Sequence, residues 1–226
     1  MGTAIGNSLP FAVGVALSPV PIVAVILVLV AKDAKRVGPA YVIGWMLGIA
    51  IIAGLVILLA DPANFESDDN SPSTTASLFQ LILGALLLLA GVRDWRGRPK
   101  EGDPAKLPKW MNGIDSFSPR KTFGFSLLVS TINPKNLALA LGGGLAIAQA
   151  GLPTGKNLIA ILIFVLIASA SVIVPVTWYF VAPESAGRTL KGWRVWLEQN
   201  NAAVMSVLFL VFGMILIGRG IAGLTS

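Results

Sequence analysis

Long apolar runs separated by short polar segments dominate the pattern of this chain. Six runs come close to the roughly 20 residues that a helix needs to cross the hydrocarbon core of a bilayer. They cover the ranges Ser8–Ala31, Pro39–Ala60, Ala76–Val92, Thr122–Ala150, Lys156–Val181 and Ala202–Gly218. The pattern predicts an all-α polytopic membrane protein with six transmembrane helices in a single domain over residues 1–226.

The composition strengthens this prediction and removes several classes of function. Apolar residues make up 55% of the chain and charged residues 12%, whereas soluble domains are about a quarter charged. The chain contains no cysteine and no histidine, which excludes disulfides, thiolate metal sites and histidine bases. No set of nucleophile and base is visible, so we expect neither an enzyme nor a cofactor or metal.

The charges predict how the chain is oriented. Most of the 17 basic residues lie in alternate connections, and the longest of these is the basic loop 93–121. The positive-inside rule places that loop in the cytoplasm and both termini outside the cytoplasmic (inner) membrane. Trp178–Phe180, Trp193 and Trp196 fit an aromatic belt on the same side. The net charge of +6 is then explained by contact with membrane lipids, and no nucleic-acid partner is expected.

The first and fourth runs carry the signs of an internal repeat. Pro19 and Pro134 each lie inside an apolar run, and each is followed at nearly the same spacing by a second proline, Pro39 or Pro153. We therefore predict two three-helix repeats, over residues 8–92 and 122–221. Because three is odd, the second repeat would be inverted, and such folds bind substrates near the midplane at breaks in corresponding helices.

Polar residues surround both of these prolines. A proline inside a helix removes a backbone hydrogen bond, and in lipid the freed groups need side chains or a wet cavity as partners. A simple kink and a polar cleft are both compatible with this pattern, and the match between two equivalent positions favours the cleft. The candidate substrate-binding residues are Ser18, Pro19, Pro21, Ser130, Thr131, Asn133, Pro134, Lys135 and Asn136.

Lys135 is the strongest candidate among them. A lysine at the centre of a membrane helix costs about 2.5–3.5 kcal/mol on insertion scales, so it must face protein, water or a ligand. The six predicted spans contain no Asp or Glu, so its partners would be carbonyls, amides or an anionic group of the substrate. The alternative is that its long side chain reaches an interface with water.

Small residues and a further proline bear on how the helices pack and bend. Gly44 and Gly48 suit either close helix packing or a dimer contact, and Gly142–Gly144 suits either close packing or a hinge. Pro175 predicts a kink in the fifth span.

The stretches "ALSPVPI" and "NPKN", together with six spans and a basic central loop, resemble the LysE superfamily of membrane exporters. Within it, the chain is most similar to the glycolipid-addressing protein (GAP) branch, which is associated with moving glycopeptidolipids or sulfolipids to the cell surface. The resemblance implies a six-helix inverted repeat, a homodimer, and function at Ser18–Pro21 and Asn133–Asn136. The absence of acids in the predicted spans argues against a lysine exporter and favours an anionic or amphipathic substrate.

Three functions remain open on the sequence. The first is a secondary transporter or flippase-type exporter of a lipid or anionic amphipathic molecule, which should show a lateral opening with apolar grooves beside Lys135. The second is an exporter of a small water-soluble metabolite such as an amino acid, which should show a closed, wet central cavity. The third is a non-transporting scaffold of a lipid export complex that acts through the loop Arg93–Lys121.

Overall fold

The computed structural model describes residues 1–31, 33–59, 74–98 and 113–225. These residues form α-helices and one 3-10 turn, Ile114–Ser116. In chain order the helices are α1 (Gly2–Ala16), α2 (Pro19–Val30), α3 (Ala34–Leu59), α4 (Thr74–Arg96), α5 (Pro119–Ile132), α6 (Pro134–Ala148), α7 (Thr154–Ala168), α8 (Ala170–Val181) and α9 (Pro183–Thr225). The acidic segment before α4 and the part of the basic loop around Trp110 lie outside the described residues.

The helices have the length and apolar character of a membrane protein. Among the described residues, α3, α4 and α9 are each long and apolar enough to cross a bilayer. The pairs α1–α2 and α7–α8 qualify as one span each if their bends of 52° and 62° are allowed, which gives three to five candidate spans. The pair α5–α6 is not among them, so the sixth span stays a prediction.

Among the described helices four begin with a proline, and this corrects the prediction that the two breaks are prolines inside helices. Pro19 and Pro134 were expected inside helices, but each is the first residue of a new helix, where its missing N–H breaks no intrahelical bond. Pro175 does lie inside α8, yet the break in the fifth predicted span comes earlier, at Ser169.

Small residues set the packing of the two tightest helix pairs. In the antiparallel pair α4–α9, a Cβ atom on Gly84 would lie 2.9 Å from the carbonyl oxygen of Gly213. In the parallel pair α3–α5, Gly44 and Gly48 pack directly on the hydroxyls of Ser126 and Ser130. The glycine stripe of α3 is therefore used inside the chain, and it no longer points to a dimer contact.

The three consecutive glycines of α6 each face a different helix. A Cβ atom on Gly142 would lie 2.7 Å from the Phe11 ring of α1, and one on Gly144 would lie 3.1 Å from Cα of Ala53 in α3. Gly143 lies against the ring of Phe164 in α7. The glycines serve close approach at the centre of the bundle.

Charge distinguishes the two ends of the bundle. The basic end comprises the starts of α3, α5 and α9 and the last turn of α4. Its cations are Lys35, Arg36, Arg93, Arg96, Arg98, Arg120, Lys121, Arg188, Lys191 and Arg194. The opposite end comprises the start of α1 and the ends of α6 and α9, where Arg219 donates a 3.4 Å hydrogen bond to Asn7. This segregation agrees with the predicted orientation, which stays a prediction.

Candidate functional site

The two helix breaks look alike in sequence but differ in their hydrogen bonding. At the second break, the side-chain oxygen of Asn133 accepts a 3.1 Å hydrogen bond from the backbone N–H of Lys135 and so caps α6. At the first break, Ser18 occupies the equivalent position without capping α2. Its hydroxyl is fully buried and has no hydrogen-bond partner among the described residues. The start of α2 is therefore an uncapped helix end inside the bundle.

Lys135 has an acidic partner, which corrects the prediction that the spans offer none. Its ammonium group lies 2.5 Å from a carboxylate oxygen of Asp94, and the two side chains are 26% and 22% exposed. The Lys135 ammonium also lies 5.5 Å from the centre of the Phe209 ring. Because Asp94 lies in the last turn of α4, at the basic end, the Lys135 side chain reaches toward that end, and it stays partly exposed.

Asp94 is visible in the sequence, but its place beside Lys135 in the fold is not. The predicted third span ended at Val92, whereas α4 continues to Arg96 and carries Asp94 on the extra turn. Asp94 and Lys135 are 41 residues apart in the chain, so no local pattern joins them. Only the packing of α4 beside α6 and α9 makes the pair.

Lys135 stands in a cleft of about 550 Å³ between α2 and α5, which we call the Lys135 cleft. The walls are mostly apolar, and the polar groups gather at the start of α6 and on α9. The lining residues are Val20, Phe125, Leu128, Val129, Ile132, Asn133, Pro134, Lys135 and Asn201. The side-chain oxygen of Asn201 is buried without a partner among the described residues. The cleft thus combines one cation and two amides with a long apolar wall.

The remaining candidate residues lie outside the Lys135 cleft. Ser130 and Thr131 donate hydrogen bonds to the Leu127 carbonyl of their own helix, at 2.9 and 2.8 Å. Asn136 is fully buried on α6, and neither end of its amide has a partner in the described part of the chain. Ser18, Pro19 and Pro21 are buried at the first break, and the Pro21 carbonyl accepts a 3.4 Å hydrogen bond from Tyr41.

The region between α1 and α6, toward the opposite end, is closely packed. A Cβ atom on Gly14 would lie 3.3 Å from Leu139 of α6, and Phe11 both packs on Gly142 and stacks on Phe212 with ring centres 5.6 Å apart. We call this contact the α1–α6 seal.

A hydrogen bond of 3.0 Å between Gln80 of α4 and Gln149, just beyond α6, adds a polar contact near the seal. Both residues lie toward the opposite end, so polar as well as apolar groups hold the helices together there.

A second cavity, of about 620 Å³, lies on the other side of the first break. We call it the tryptophan cavity, and apart from the predicted aromatic belt no sequence pattern pointed to it. It is lined by Ala16, Leu17, Ile22, Ala170, Ser171, Val174, Pro175, Trp193, Trp196 and Leu197. Ser171 contributes the one hydroxyl in this lining.

Comparison with known families decides where the chain belongs. Residues 9–222 match the family described as Sap, sulfolipid-1-addressing protein. The chain is a member of this family. The match covers nearly the whole chain and confirms the resemblance to the glycolipid-addressing branch, whereas the wider LysE placement stays a prediction. No curated protein and no solved structure matches the chain. Family membership and the apolar helices together describe a membrane protein of a lipid-addressing family.

Proposed function

We propose that this protein is a secondary transporter or flippase-type exporter that moves a lipid or another anionic amphipathic molecule across the cytoplasmic membrane. The observation that carries the proposal is the Lys135 cleft, a cavity with a cation and an apolar wall, open between α2 and α5 while α1 and α6 are packed together. In this proposal the cleft receives the substrate from the basic end. The α1–α6 seal then opens to release it.

The direction of the helices supports an inverted repeat. The chain enters α1 at the opposite end and α5 at the basic end, and both helices stop at a break followed by a proline. Two repeats of opposite direction that differ in conformation are the usual basis of alternating access. We include in the proposal six spans, both termini outside, and a homodimer with membrane lipids as its partners.

Asp94 is paired with Lys135, and a substrate anion could take the place of its carboxylate. Both side chains keep about a quarter of their surface exposed, so the pair is open to an incoming anion. A sulfate, phosphate or carboxylate headgroup can therefore displace the Asp94 carboxylate and gain charge-assisted hydrogen bonds from Lys135. Asn133 and Asn201 line the same space and offer further amide groups to the headgroup.

The cleft favours a lipid over a small water-soluble metabolite. An exporter of a hydrophilic molecule needs polar walls, yet six of the nine residues that line the Lys135 cleft are apolar. Ile132 and Leu128 on its wall are 66% and 54% exposed, as expected for side chains that meet lipid tails. The side wall of the cleft therefore offers a lateral path for an acyl chain.

Native mass spectrometry of the purified protein with added phosphatidylglycerol tests the proposal. We expect Lys135→Ala to weaken lipid retention about 10- to 100-fold, because a hydrogen bond to a charged group contributes about 1.5–3 kcal/mol. Asp94→Asn should retain the lipid at least as well as the wild type, because it removes the competing carboxylate. Phosphatidylcholine of the same chains should bind more weakly than phosphatidylglycerol.

Lys191→Ala is the matched control, since Lys191 is an exposed lysine at the basic end that does not line the cleft. Equal loss in Lys191→Ala and Lys135→Ala would mean that general surface charge holds the lipid. Unchanged retention in Lys135→Ala would overturn the assigned headgroup site. A proteoliposome assay with fluorescent phosphatidylglycerol then checks that the lipid crosses the membrane.

A further inference from the structure

We infer that the tryptophan cavity holds an acyl chain of the same molecule whose anionic group binds in the Lys135 cleft. This inference rests on the proposed function and names the part of the site that takes the tail. An amphipathic substrate would then lie across the break between α1 and α2, with its head on one side and its chain on the other.

The lining of the tryptophan cavity suits a hydrocarbon chain. Apart from Ser171, the side chains that line it are Ala, Leu, Ile, Val, Pro and Trp. The volume of about 620 Å³ lies within the range of about 300–1,000 Å³ that is usual for ligand pockets. Trp193 and Trp196 are each about half exposed, so they lie where the cavity opens to the surface of the helix bundle. Indole rings favour the boundary between lipid tails and headgroups, which is where a lipid chain would enter.

The two cavities adjoin each other. Leu17 lines the tryptophan cavity and Val20 lines the Lys135 cleft, and they lie on the two sides of the Ser18 break. On α9, Leu197 lines the tryptophan cavity and Asn201 lines the Lys135 cleft, and the two residues are about one helical turn apart. A single turn of α9 and the break between α1 and α2 thus separate the place for the headgroup from the place for the chain.

Two unpartnered hydroxyls, that of Ser171 in the lining of the tryptophan cavity and that of Ser18 in the break next to Leu17, point to a ligand with a polar linkage. The Ser18 and Ser171 hydroxyls are buried and have no hydrogen-bond partner among the described residues. In the membrane interior no bulk water is at hand, and a buried hydroxyl without a partner is costly. The carbonyl of the ester that joins an acyl chain to the rest of a lipid can accept a hydrogen bond from the Ser171 hydroxyl in this lining. We therefore expect an acylated lipid in preference to a plain fatty acid.

Tryptophan fluorescence of the intact protein, with phosphatidylglycerol that carries a dibrominated acyl chain, tests the inference. Bromine quenches indoles at contact, so the wild type should be quenched more than the double variant Trp193→Phe/Trp196→Phe. Ala170→Phe fills the cavity and should weaken lipid retention in native mass spectrometry by about tenfold or more, because overpacked sites exclude a chain. Ala222→Phe is the control, since Ala222 is exposed near the end of α9 and does not line the cavity.

The outcomes separate this inference from the proposed function. Loss of retention in Ala170→Phe but not in Ala222→Phe, together with quenching that requires Trp193 and Trp196, supports the chain site. If Lys135→Ala releases the lipid while Ala170→Phe keeps it, the chain site is wrong and the headgroup site stands. If Ala170→Phe releases the lipid and Lys135→Ala keeps it, the cavity binds a chain and the proposed headgroup site fails. Equal quenching of the wild type and the double variant overturns the inference even where Ala170→Phe does not fold.

Discussion

The α1–α6 seal and the Lys135 cleft each lie between a helix of the first half of the chain and one of the second half, but they are packed in opposite ways. In the seal, glycines bring the helices together, so that Gly142 accepts the Phe11 ring and Gly14 lies against Leu139. In the cleft, the walls carry larger side chains such as Phe125 and Val129, and a space of about 550 Å³ remains. Both regions lie beside a proline-marked break, so the difference between them lies in the glycines, which occur in the seal and not in the lining of the cleft.

The two helix breaks also differ, in whether the polar groups at the break have hydrogen-bond partners. Asn133 caps α6, so the helix beside the open cleft has a satisfied start. Ser18 leaves α2 uncapped, and its buried hydroxyl lacks a partner in the described part of the chain. A local defect is therefore retained at the break that lies between the two cavities. Uncompensated polar groups of this kind are often found at functional sites, where ligand binding satisfies them.

The largest effect should come from breaking the seal with Gly142→Leu. The added side chain meets the Phe11 ring, which would lie 2.7 Å from the first added carbon. Overpacking of this kind costs about 1–3 kcal/mol, so thermal unfolding should shift down by several degrees and lipid transport should fall. Gly124→Leu is the control, because a Cβ atom there has no neighbour within 4 Å. Equal shifts in the two variants would show that the contact with Phe11 does not hold the seal.

A second test compares the two regions through the reactivity of single cysteines. The chain contains no cysteine, so each variant reports on one position only. Val129→Cys in the cleft should react with a charged, water-soluble thiol reagent about tenfold or more faster than Leu139→Cys, since thiols buried in apolar surroundings are inert. Val129 lines the cleft, whereas Leu139 is 0% exposed. Similar rates would contradict the closed state of the seal, and Gly142→Leu should raise the rate at Leu139→Cys.

The smallest effects should distinguish the two breaks. Asn133→Ala removes a helix cap and should cost about 1 kcal/mol of stability. Ser18→Ala removes a hydroxyl that makes no hydrogen bond with the described residues, so it should be neutral or slightly stabilising for folding. Chemical unfolding in a mild detergent measures both. A cost for Ser18→Ala as large as that for Asn133→Ala would mean that Ser18 has a structural partner.

Much of the fold could be predicted from local sequence. Apolar runs located the helices, and the paired prolines located both breaks, since a proline at the start of a helix is a local preference. The last run was wrong at its start, because α9 begins at Pro183 and not at Ala202, and its first turns carry too many polar residues for an apolar run to show them. Lys135 and Asn133 were found because polar groups in an apolar run must be satisfied. Ser130 does not line the Lys135 cleft, because its hydroxyl donates to the Leu127 carbonyl of its own helix and packs against Gly48 of α3, and its role in binding stays a prediction.

By itself, the sequence determined that this is a helical membrane protein with two proline-marked breaks and a lysine beside one of them, because these features follow from hydrophobicity and backbone chemistry over short stretches. Only the tertiary structure decided that Asp94 pairs with Lys135, that the glycines of α6 pack closely on α1, α3 and α7, and that two cavities are lined by residues on the two sides of the Ser18 break. These features join residues that are far apart in the chain. Their positions depend on how closely whole helices approach, which no local pattern specifies.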